Sequence, residues 1–313
     1  VFQAAQWRGV SVETTNIVQA GKQEPHIKLK PRSLIWVYQT KRNPKTKRIM
    51  GPVATGLRRQ GHRVEIRESS KYESGTSLQP DYIAAWGDWF GVEDILRDVG
   101  LYGWGLLHID NGYYARSSHT VGYKQSYDGY YSVTLNNRQC HEYLWDGDTP
   151  SPDRFLTQEQ SPHRWRKPSA PENSIIYLLG FSPKQSKLFG LDHIAWLQAT
   201  KAWLQPRTTR RILVRPKNYD DLNFRQVLRD ENIHLVVGYH TKALVESLLE
   251  GVPIVSLAPC VVNLMGGSKN EHELLNNPPI DDPIKPNNRL DFFSRLAWHQ
   301  WTLGEIAAGL MWA

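Results

Sequence analysis

The sequence has little sulfur and no long apolar run. Of its 313 residues, only two are cysteine and three are methionine. Cys140 and Cys260 lie far apart, with no Cys-x-x-Cys pair and no cysteine–histidine cluster, which argues against a disulfide framework or a structural zinc site. No apolar stretch is long enough to cross a bilayer, and no signal pattern opens the sequence. We therefore expect a soluble cytoplasmic protein with free thiols and no membrane partner.

The length and composition allow two domains, because 313 residues with 40% hydrophobic content can build two buried cores. Apolar strand patterns alternate with helical patterns, which predicts an α/β fold with parallel sheets. We expect two Rossmann-like domains that face a cleft. The predicted bounds are an extension or edge element at 1–30, an acceptor domain with linker at 31–170, a nucleotide domain at 171–290 and C-terminal helices at 291–313.

The elements of both domains follow from these patterns. In the first half we predict strands at 34–38, 63–67, 81–86 and 105–110 and helices at 48–60 and 92–99. A Tyr-, Pro- and Ser-rich stretch from 111 to 171 indicates the linker. In the second half we predict strands at 174–179, 211–214, 233–237 and 253–257 and helices at 191–204, 224–229 and 241–250.

The stretch from 234 to 255 is the most informative part of the sequence. A buried strand runs into Gly238, Tyr239 and His240, and we predict that a helix begins at about Thr241. The N–H groups and the positive end of such a helix favour a phosphate above the carboxyl end of the strand. Glu246 follows about one and a half turns later, where its carboxylate would accept hydrogen bonds from ribose hydroxyls.

This strand, turn, helix bearing Glu246, and Gly251-x-Pro253 step resembles the donor half of the GT-B glycosyltransferases. The resemblance implies a nucleotide sugar as co-substrate, with a UDP-sugar favoured. The loops after two neighbouring strands supply hydroxyls and cations that would neutralise a leaving diphosphate without a metal. The candidate donor-binding residues are Ser182, Lys184, Arg215, Lys217, His240, Thr241 and Glu246.

We expect no cofactor and no metal. The loop at 180–190 lacks the Gly-Lys-Ser/Thr ending of a Walker A motif. Asp146-Gly-Asp148 has the Asp-x-Asp form with which another glycosyltransferase class holds a metal ion. Because it stands in a Pro-rich stretch away from the expected donor site, we interpret it as a solvated turn.

The C-terminal piece extends the resemblance. Together with Asp110–Tyr113, Arg215–Lys217 and the Gly251-x-Pro253 step, the stretch from Asn288 to Trp312 is similar to a group of phage-encoded proteins related to glycosyltransferases. The similarity covers about residue 105 to the end. It implies transfer of a sugar to a hydroxyl on a modified pyrimidine in phage DNA. The apolar residues of this piece suit a pair of terminal helices that pack on the core or cross between domains: Leu296, Trp301, Leu303 and Ile306.

The positive charge of the chain is concentrated in one window. Between Arg32 and Lys71 there are eleven Lys and Arg against two acidic residues, Glu65 and Glu68, so this window carries a charge of +9. The net charge of the whole chain is +7, so the remainder is nearly neutral. Such a surface attracts polyanions, of which nucleic acid is the commonest, so we expect double-stranded DNA as a partner. A solvated basic face, or a surface that steers a small anionic ligand, would give the same pattern. The candidate acceptor-binding residues are Lys41, Arg42, Lys45, Lys47, Arg48, Tyr113 and Tyr114.

Asp110 is the candidate catalytic residue. It ends a buried strand, where a carboxylate near an acceptor hydroxyl would serve as the general base. An Asx turn that caps the strand is the other interpretation. At the level of function, two alternatives stay open: a glycosyltransferase that acts on a polysaccharide or small acceptor, and a non-catalytic protein that binds DNA or a nucleotide. The oligomeric state is not indicated.

Overall fold

The computed structural model describes the chain from Ile27 to Trp312 with gaps. The described residues are 27–41, 43–74, 79–87, 92–114, 129–136, 144, 147–159, 161–167, 170–181, 185–186, 190–215, 224–258, 260–266 and 280–312. By its internal contacts the chain divides into unit 1, Val1–Cys140 with Leu296–Ala313, and unit 2, His141–Arg295. Within the described ranges, no helix is long and apolar enough to cross a membrane.

Both units are built of strands and helices in alternation. The strands are β1 (Leu34–Gln39), β2 (Arg63–Glu68), β3 (Tyr82–Trp86), β4 (Gly105–Asn111), β5 (Tyr130–Leu135), β6 (Ile175–Leu179), β7 (Arg211–Arg215), β8 (Ile233–Gly238), β9 (Ile254–Ser256) and β10 (Gln300–Thr302). The helices are α1 (Pro44–Arg59), α2 (Val92–Tyr102), α3 (Asp153–Gln158), α4 (His193–Leu204), α5 (Phe224–Asp230), α6 (Ala243–Leu249), α7 (Arg289–Ala297) and α8 (Leu303–Ala308). Short 3-10 turns lie at Ser69–Lys71, Pro171–Asn173, Gln205–Arg207 and Val261–Gly266.

Unit 1 contains a six-stranded sheet in the order β10-β5-β4-β3-β1-β2. The strands β1 to β4 pair in parallel, whereas β5 pairs antiparallel with β4 and β10 antiparallel with β5. Alternate residues of β1 enter different cores, since Ile35 and Val37 pack with α1 residues and Trp36 and Tyr38 pack with Ile95 of α2. Because successive side chains of a strand point to opposite faces, α1 and α2 cover opposite faces of the sheet.

Unit 2 contains a four-stranded, fully parallel sheet in the order β7-β6-β8-β9. Its core combines Ile176 and Leu178 of β6 with Leu235 and Val237 of β8. Strands buried in this way carry near-continuous apolar runs, which is how the sequence indicated them. The predicted α/β class with parallel sheets is confirmed.

The start of α1 was predicted one turn too late. The side chain of Asn43 accepts a hydrogen bond from the N–H of Lys45 at 3.0 Å, and Pro44 occupies the first helical position. An asparagine cap followed by proline is a preferred way to begin a helix, so α1 begins at Pro44 and not at residue 48.

Two strands were overlooked in the sequence. β5 lies inside the stretch interpreted as linker, and β10 separates α7 from α8, so Trp301 belongs to a strand and not to a terminal helix. The two strands pair with each other, with Trp301 opposite Tyr131. β10 has only three residues and a partner far away in sequence, so its local pattern is weak, whereas β5 is a β-rich run that was overlooked because it stands in a stretch rich in turn residues.

The C-terminal helix α8 packs closely on α1 within unit 1. A Cβ atom added at Gly56 of α1 would overlap the carbonyl oxygen of Ile306 and lie 3.0 Å from Nε1 of Trp312. The side chain of Arg59 donates to the carbonyl oxygen of Ala307 at 3.0 Å. Gly56 therefore sets how near the two helices can lie.

We expect Gly56→Ala to lower the free energy of unfolding of unit 1 by about 2 kcal/mol, because the added methyl group forces the two helix backbones apart. Gly100→Ala in α2 is the matched control. A Cβ atom there meets nothing within 4 Å, so the better helix propensity of alanine should raise stability by about 0.5–1 kcal/mol. Hydrogen exchange at the β1 amides measures both changes, and equal effects would contradict the packing argument.

Candidate functional site

The sheet of unit 2 has a topological switch point between β6 and β8. The chain leaves β6 toward β7 on one side and leaves β8 toward β9 on the other, so these two connections run in opposite directions. In open parallel sheets, ligands bind outside the carboxyl ends of the strands at such a point. Gly180 and Phe181 follow β6 there, and the turn from Gly238 to Thr241 follows β8. The predicted donor ligands Ser182, Lys184 and Lys217 lie outside the described residues.

The turn after β8 is compact. A Cβ atom at Gly238 would lie 3.0 Å from Cγ2 of Thr241 and 3.3 Å from Cδ2 of Leu244, so a larger residue would have to displace these side chains by a few tenths of an ångström. The hydroxyl of Thr241 accepts from the N–H of Ala243 at 3.4 Å, and its carbonyl oxygen accepts from the N–H of Leu244 at 3.2 Å. His240 has a backbone φ of +43°, which is in the left-handed region that residues other than glycine rarely adopt.

The helix after this turn begins later than predicted. α6 starts at Ala243, with Lys242 as its N-cap, and has seven residues. The helix starts two residues after the predicted start at about Thr241, because the side chain and carbonyl oxygen of Thr241 form a turn. Since α6 is short, the polar surface of the turn itself, and not a helix dipole, is what this edge offers to a ligand.

Tyr239 anchors the turn in the core of unit 2. Its ring lies 5.4 Å from the ring of Phe181 and 5.6 Å from that of Trp196, measured between centroids. Phe181 and Trp196 are themselves in contact, with centroids 5.1 Å apart. Burial raises the pKa of Tyr239. Sequence reasoning treated this residue only as part of the turn, because nothing local indicates that its ring is packed.

Arg215 and Glu246 occupy different environments. Arg215 ends β7 at the carboxyl edge of the sheet, half-buried, with its guanidinium carbon 4.7 Å from the centroid of the Phe224 ring. Glu246 lies in α6 and is only 5% exposed. Little of this residue is therefore open to a ribose hydroxyl in this structure. The donor roles of both residues stay predictions.

A second carboxylate on the same segment, Glu250, has a structural environment. It accepts hydrogen bonds from Arg225 at 2.5 Å and from Arg229 at 2.9 Å, and Arg225 also donates to Glu159 at 2.6 Å. Its side chain is 1% exposed. Burial opposes ionisation of Glu250, but the hydrogen bonds from Arg229 and Arg225 outweigh it and hold its pKa below the usual range.

The sheet of unit 1 has its own switch point between β1 and β3, because the chain leaves β1 toward β2 and leaves β3 toward β4. In the loop after β1, N–H groups of three described residues are used internally. The hydroxyl of Thr46 accepts from Thr40, the side chain of Asn43 accepts from Lys45, and the carboxylate of Glu68 accepts from Lys41, each at 3.0 Å. An anion at this loop would therefore be held by side chains and not by a backbone cradle.

The predicted acceptor cations surround this loop. Lys41, Lys47 and Arg48 are exposed and Lys45 is half-buried, whereas Arg42 lies outside the described residues. α1 contains no acidic residue in its first turn. Within the described ranges, no ion pair involves Lys41, Lys45 or Lys47. Cations near a helix N-terminus oppose the helix dipole, so this arrangement costs stability unless an anion lies nearby.

Asp110 lies at the same edge of unit 1. It is half-buried near the end of β4, and its carboxylate accepts the N–H of Asn111 at 2.8 Å. Because neighbouring strands lie about 4.8 Å apart, Asp110 stands about 10 Å from the end of β1. On β3, the strand between β1 and β4, the chain continues into Gly87, whose N–H donates to the carbonyl oxygen of Ile109 of β4 at 2.7 Å. The geometry fits both a general base and a turn, and the catalytic role stays a prediction.

The tyrosines after Asp110 are core residues. Tyr113 is 0% and Tyr114 1% exposed, and the N–H of Tyr113 donates to the side chain of Gln300 at 2.9 Å. Their rings present no surface to an acceptor in this structure, so their predicted contact with an acceptor would require residues above them to move. It stays a prediction.

A metal site is not formed by the described residues. In that part of the chain, no group of three or more His, Cys, Asp or Glu side chains could hold an ion. Of the Asp-x-Asp pair, Asp148 is exposed after Gly147, which has φ +70°, whereas Asp146 lies outside the described ranges.

Comparison with known proteins gives likeness of fold at low identity. No protein-family model and no curated protein sequence matches the chain. Among solved structures, the β-Kdo 2,4 transferase of Thermosulfurimonas dismutans KpsC has a TM-score of 0.49 at 10% identity, covering 84% of this chain and 90% of its own. The β-Kdo 2,7 transferase of KpsC from the same organism has a TM-score of 0.48 at 9% identity, and the match covers 88% of this chain and 98% of the transferase.

A putative UDP-N-acetylglucosamine 2-epimerase of Listeria monocytogenes is more distant, with a TM-score of 0.25 at 10% identity and coverages of 88% and 93%. The neighbours thus include glycosyltransferases and an epimerase. At these scores and identities the likeness carries no argument about the activity or the residues of this chain.

The buried carboxylate yields a prediction for stability against pH. Because its pKa is depressed in the folded state, Glu250 contributes stability above its unfolded pKa of about 4.3 and loses it as the pH falls through the folded value. We expect Glu250→Gln to cost about 2 kcal/mol at pH 7 and progressively less as the pH falls below about 4.

Glu231→Gln makes the same chemical change at an exposed carboxylate of unit 2 and should be nearly neutral. Hydrogen exchange at the β8 amides across pH 3–7, a range chosen about the unfolded pKa, reports both variants. A cost that does not change with pH would show that the carboxylate is not ionised in the folded protein.

Proposed function

We propose that the chain is a glycosyltransferase that takes a sugar from a nucleoside diphosphate sugar bound at the carboxyl edge of the unit 2 sheet. The observation that carries the proposal is the switch point between β6 and β8, with the compact turn Gly238–Thr241 above it. A strained residue at a strand end is typical of ligand sites. The resemblance of the same segment to the donor half of GT-B enzymes supports a nucleotide sugar as the ligand.

The charge at this edge supports a diphosphate. Arg215 stands at the end of β7, two strands away from β8 and hence about 10 Å from its end. A uridine diphosphate spans more than this distance, so its phosphates could reach Arg215 while another part of it contacts His240 and Thr241. Ser182, Lys184 and Lys217 belong to the loops after β6 and β7 and would act on the same anion. Glu246 would take the ribose if its side chain emerges from α6.

For the acceptor we propose double-stranded DNA held on the basic surface of unit 1. We define this surface as Lys41, Arg42, Lys45, Lys47 and Arg48. N–H groups of three described residues in its loop bond within the protein, so its affinity for anions comes from long ammonium and guanidinium side chains. Such side chains fit an extended polyanion better than one small phosphate. Asp110, about 10 Å from the end of β1, would accept the proton of the attacking hydroxyl.

The acceptor group and the two alternative functions each have their own support. As the attacking group we propose a hydroxyl on a modified pyrimidine of phage DNA, which is supported by the resemblance described above for Asp110–Tyr113, Arg215–Lys217, the Gly251-x-Pro253 step and the C-terminal segment. A polysaccharide acceptor is the second candidate. A neutral sugar chain would not need the basic surface, but the basic surface would not prevent it from binding. A non-catalytic nucleotide binder is distinguished by incubation with a panel of nucleotide sugars, since an enzyme slowly releases the nucleoside diphosphate without acceptor and a passive binder does not.

The donor site is tested by one arginine pair on the same strand. We expect Arg215→Gln to weaken the binding of uridine diphosphate about tenfold, because a charge-assisted hydrogen bond is lost. Arg211→Gln removes the same charge at the amino end of β7, about 13 Å away, and should leave the affinity unchanged. Calorimetry with uridine diphosphate measures both. Equal losses in the two variants, or no binding to the wild type, would exclude this donor site.

The acceptor is tested by the salt dependence of DNA binding. Each phosphate contact adds about 0.9 to the slope of log affinity against log salt on duplex DNA, so Lys45→Gln and Lys47→Gln should each reduce the slope by about 1. Lys201→Gln, an exposed lysine of α4 in unit 2, removes an equal charge and should not change it. Anisotropy with a labelled duplex across a salt series gives the slopes.

The same variants decide between the DNA and the other interpretations of the basic surface. If Lys45→Gln and Lys47→Gln slow the association of uridine diphosphate and leave the DNA slope unchanged, the surface steers the donor. Binding of DNA that is absent or insensitive to salt would favour a carbohydrate acceptor.

A further inference from the structure

The turn after β8 holds one residue in an unfavourable backbone conformation between two fixed neighbours. His240 has φ +43°. On one side, the ring of Tyr239 is packed against Phe181 and Trp196 at centroid distances of 5.4 and 5.6 Å. On the other side, Thr241 is tied to the start of α6 by its carbonyl oxygen and its hydroxyl. Residue 240 lies between these two points and takes the left-handed conformation.

The backbone strain at His240 must be offset by neighbouring contacts, because L-amino acid residues disfavour the left-handed region. The ties of Thr241 are ordinary turn hydrogen bonds, one of them long at 3.4 Å. The aromatic contacts of Tyr239 are more extensive, and aromatic pairs at these distances add to the stability gained from burial. The packing of Tyr239 is therefore the contact most able to hold the turn.

We propose that Tyr239 is a positioning residue: its packing against Phe181 and Trp196 holds His240 in the left-handed conformation and thereby fixes the imidazole at the carboxyl edge of the unit 2 sheet. The role of that imidazole in binding a nucleoside diphosphate rests on the proposed function. The conformational part does not, because it concerns the backbone of the ligand-free protein.

Glycine at position 240 tests the conformational part. Since glycine adopts the left-handed region at no steric cost, His240→Gly should slow the exchange of β8 amides about threefold in the otherwise wild-type chain. In the Tyr239→Leu background the turn is free to relax, residue 240 leaves the left-handed region, and the gain should vanish. Hydrogen exchange of the full-length chain, followed by mass spectrometry of peptides from 233–250, gives the four rates.

A second background controls for a general loss of packing. Tyr177 of β6 stacks on Phe224 with ring centroids 6.3 Å apart and has no aromatic contact with the turn residue Tyr239 among the described pairs. In the Tyr177→Leu background, the threefold gain from His240→Gly should persist. A gain that persists in the Tyr239→Leu background, or that vanishes equally in both, would overturn the proposal.

Ligand binding gives the readout that a merely structural role would not share. Tyr239→Phe keeps the ring contacts and should bind uridine diphosphate as the wild type does, whereas Tyr239→Leu should lose about tenfold in affinity. Equal affinity of the Phe and Leu variants would count against positioning. If the wild-type protein does not bind uridine diphosphate, the proposed function fails, and the exchange measurements alone decide whether Tyr239 holds His240.

Discussion

The parallel pairing of strands is the constraint on which the rest of the structure depends. Two parallel neighbours cannot be joined by a tight turn, so the chain must cross the sheet through a helix before the next strand begins. All strand carboxyl ends of such a sheet then lie at one edge, together with the loops that follow them. In unit 2 this brings the ends of β6, β7 and β8 together, and in unit 1 those of β1, β3 and β4.

The two edges use different chemistry. In unit 2, the turn Gly238–Thr241 is compact, anchored by an aromatic ring, and contains a residue in a strained conformation. In unit 1, three N–H groups of the loop after β1 donate to Thr46, Asn43 and Glu68, and the loop displays exposed cationic side chains instead. A rigid turn suits a ligand of fixed shape, whereas long cationic side chains suit an extended anion whose contacts need not be exact.

The environment of a polar or aromatic side chain does not follow from its sequence context. Glu250, four residues after Glu246, is held by two arginines and stabilises unit 2, although nothing in the sequence separates the two carboxylates. The same holds for Tyr113 and Tyr114, which are aromatic residues after a strand end and therefore looked accessible, but are buried. Burial depends on what packs from elsewhere in the chain, so a candidate list from sequence mixes core residues with accessible ones.

The sequence by itself determined the α/β class, most strands of both sheets and the basic surface of unit 1, because apolar periodicity and charge are local properties. It did not determine β5 and β10, whose pairing joins residues far apart in the chain, or the true start of α6, which the side chain and carbonyl oxygen of Thr241 decide. It gave no sign that the ring of Tyr239 packs against those of Phe181 and Trp196. Only the tertiary structure could decide these features, because each depends on atoms that folding brings together and that no neighbouring residue specifies.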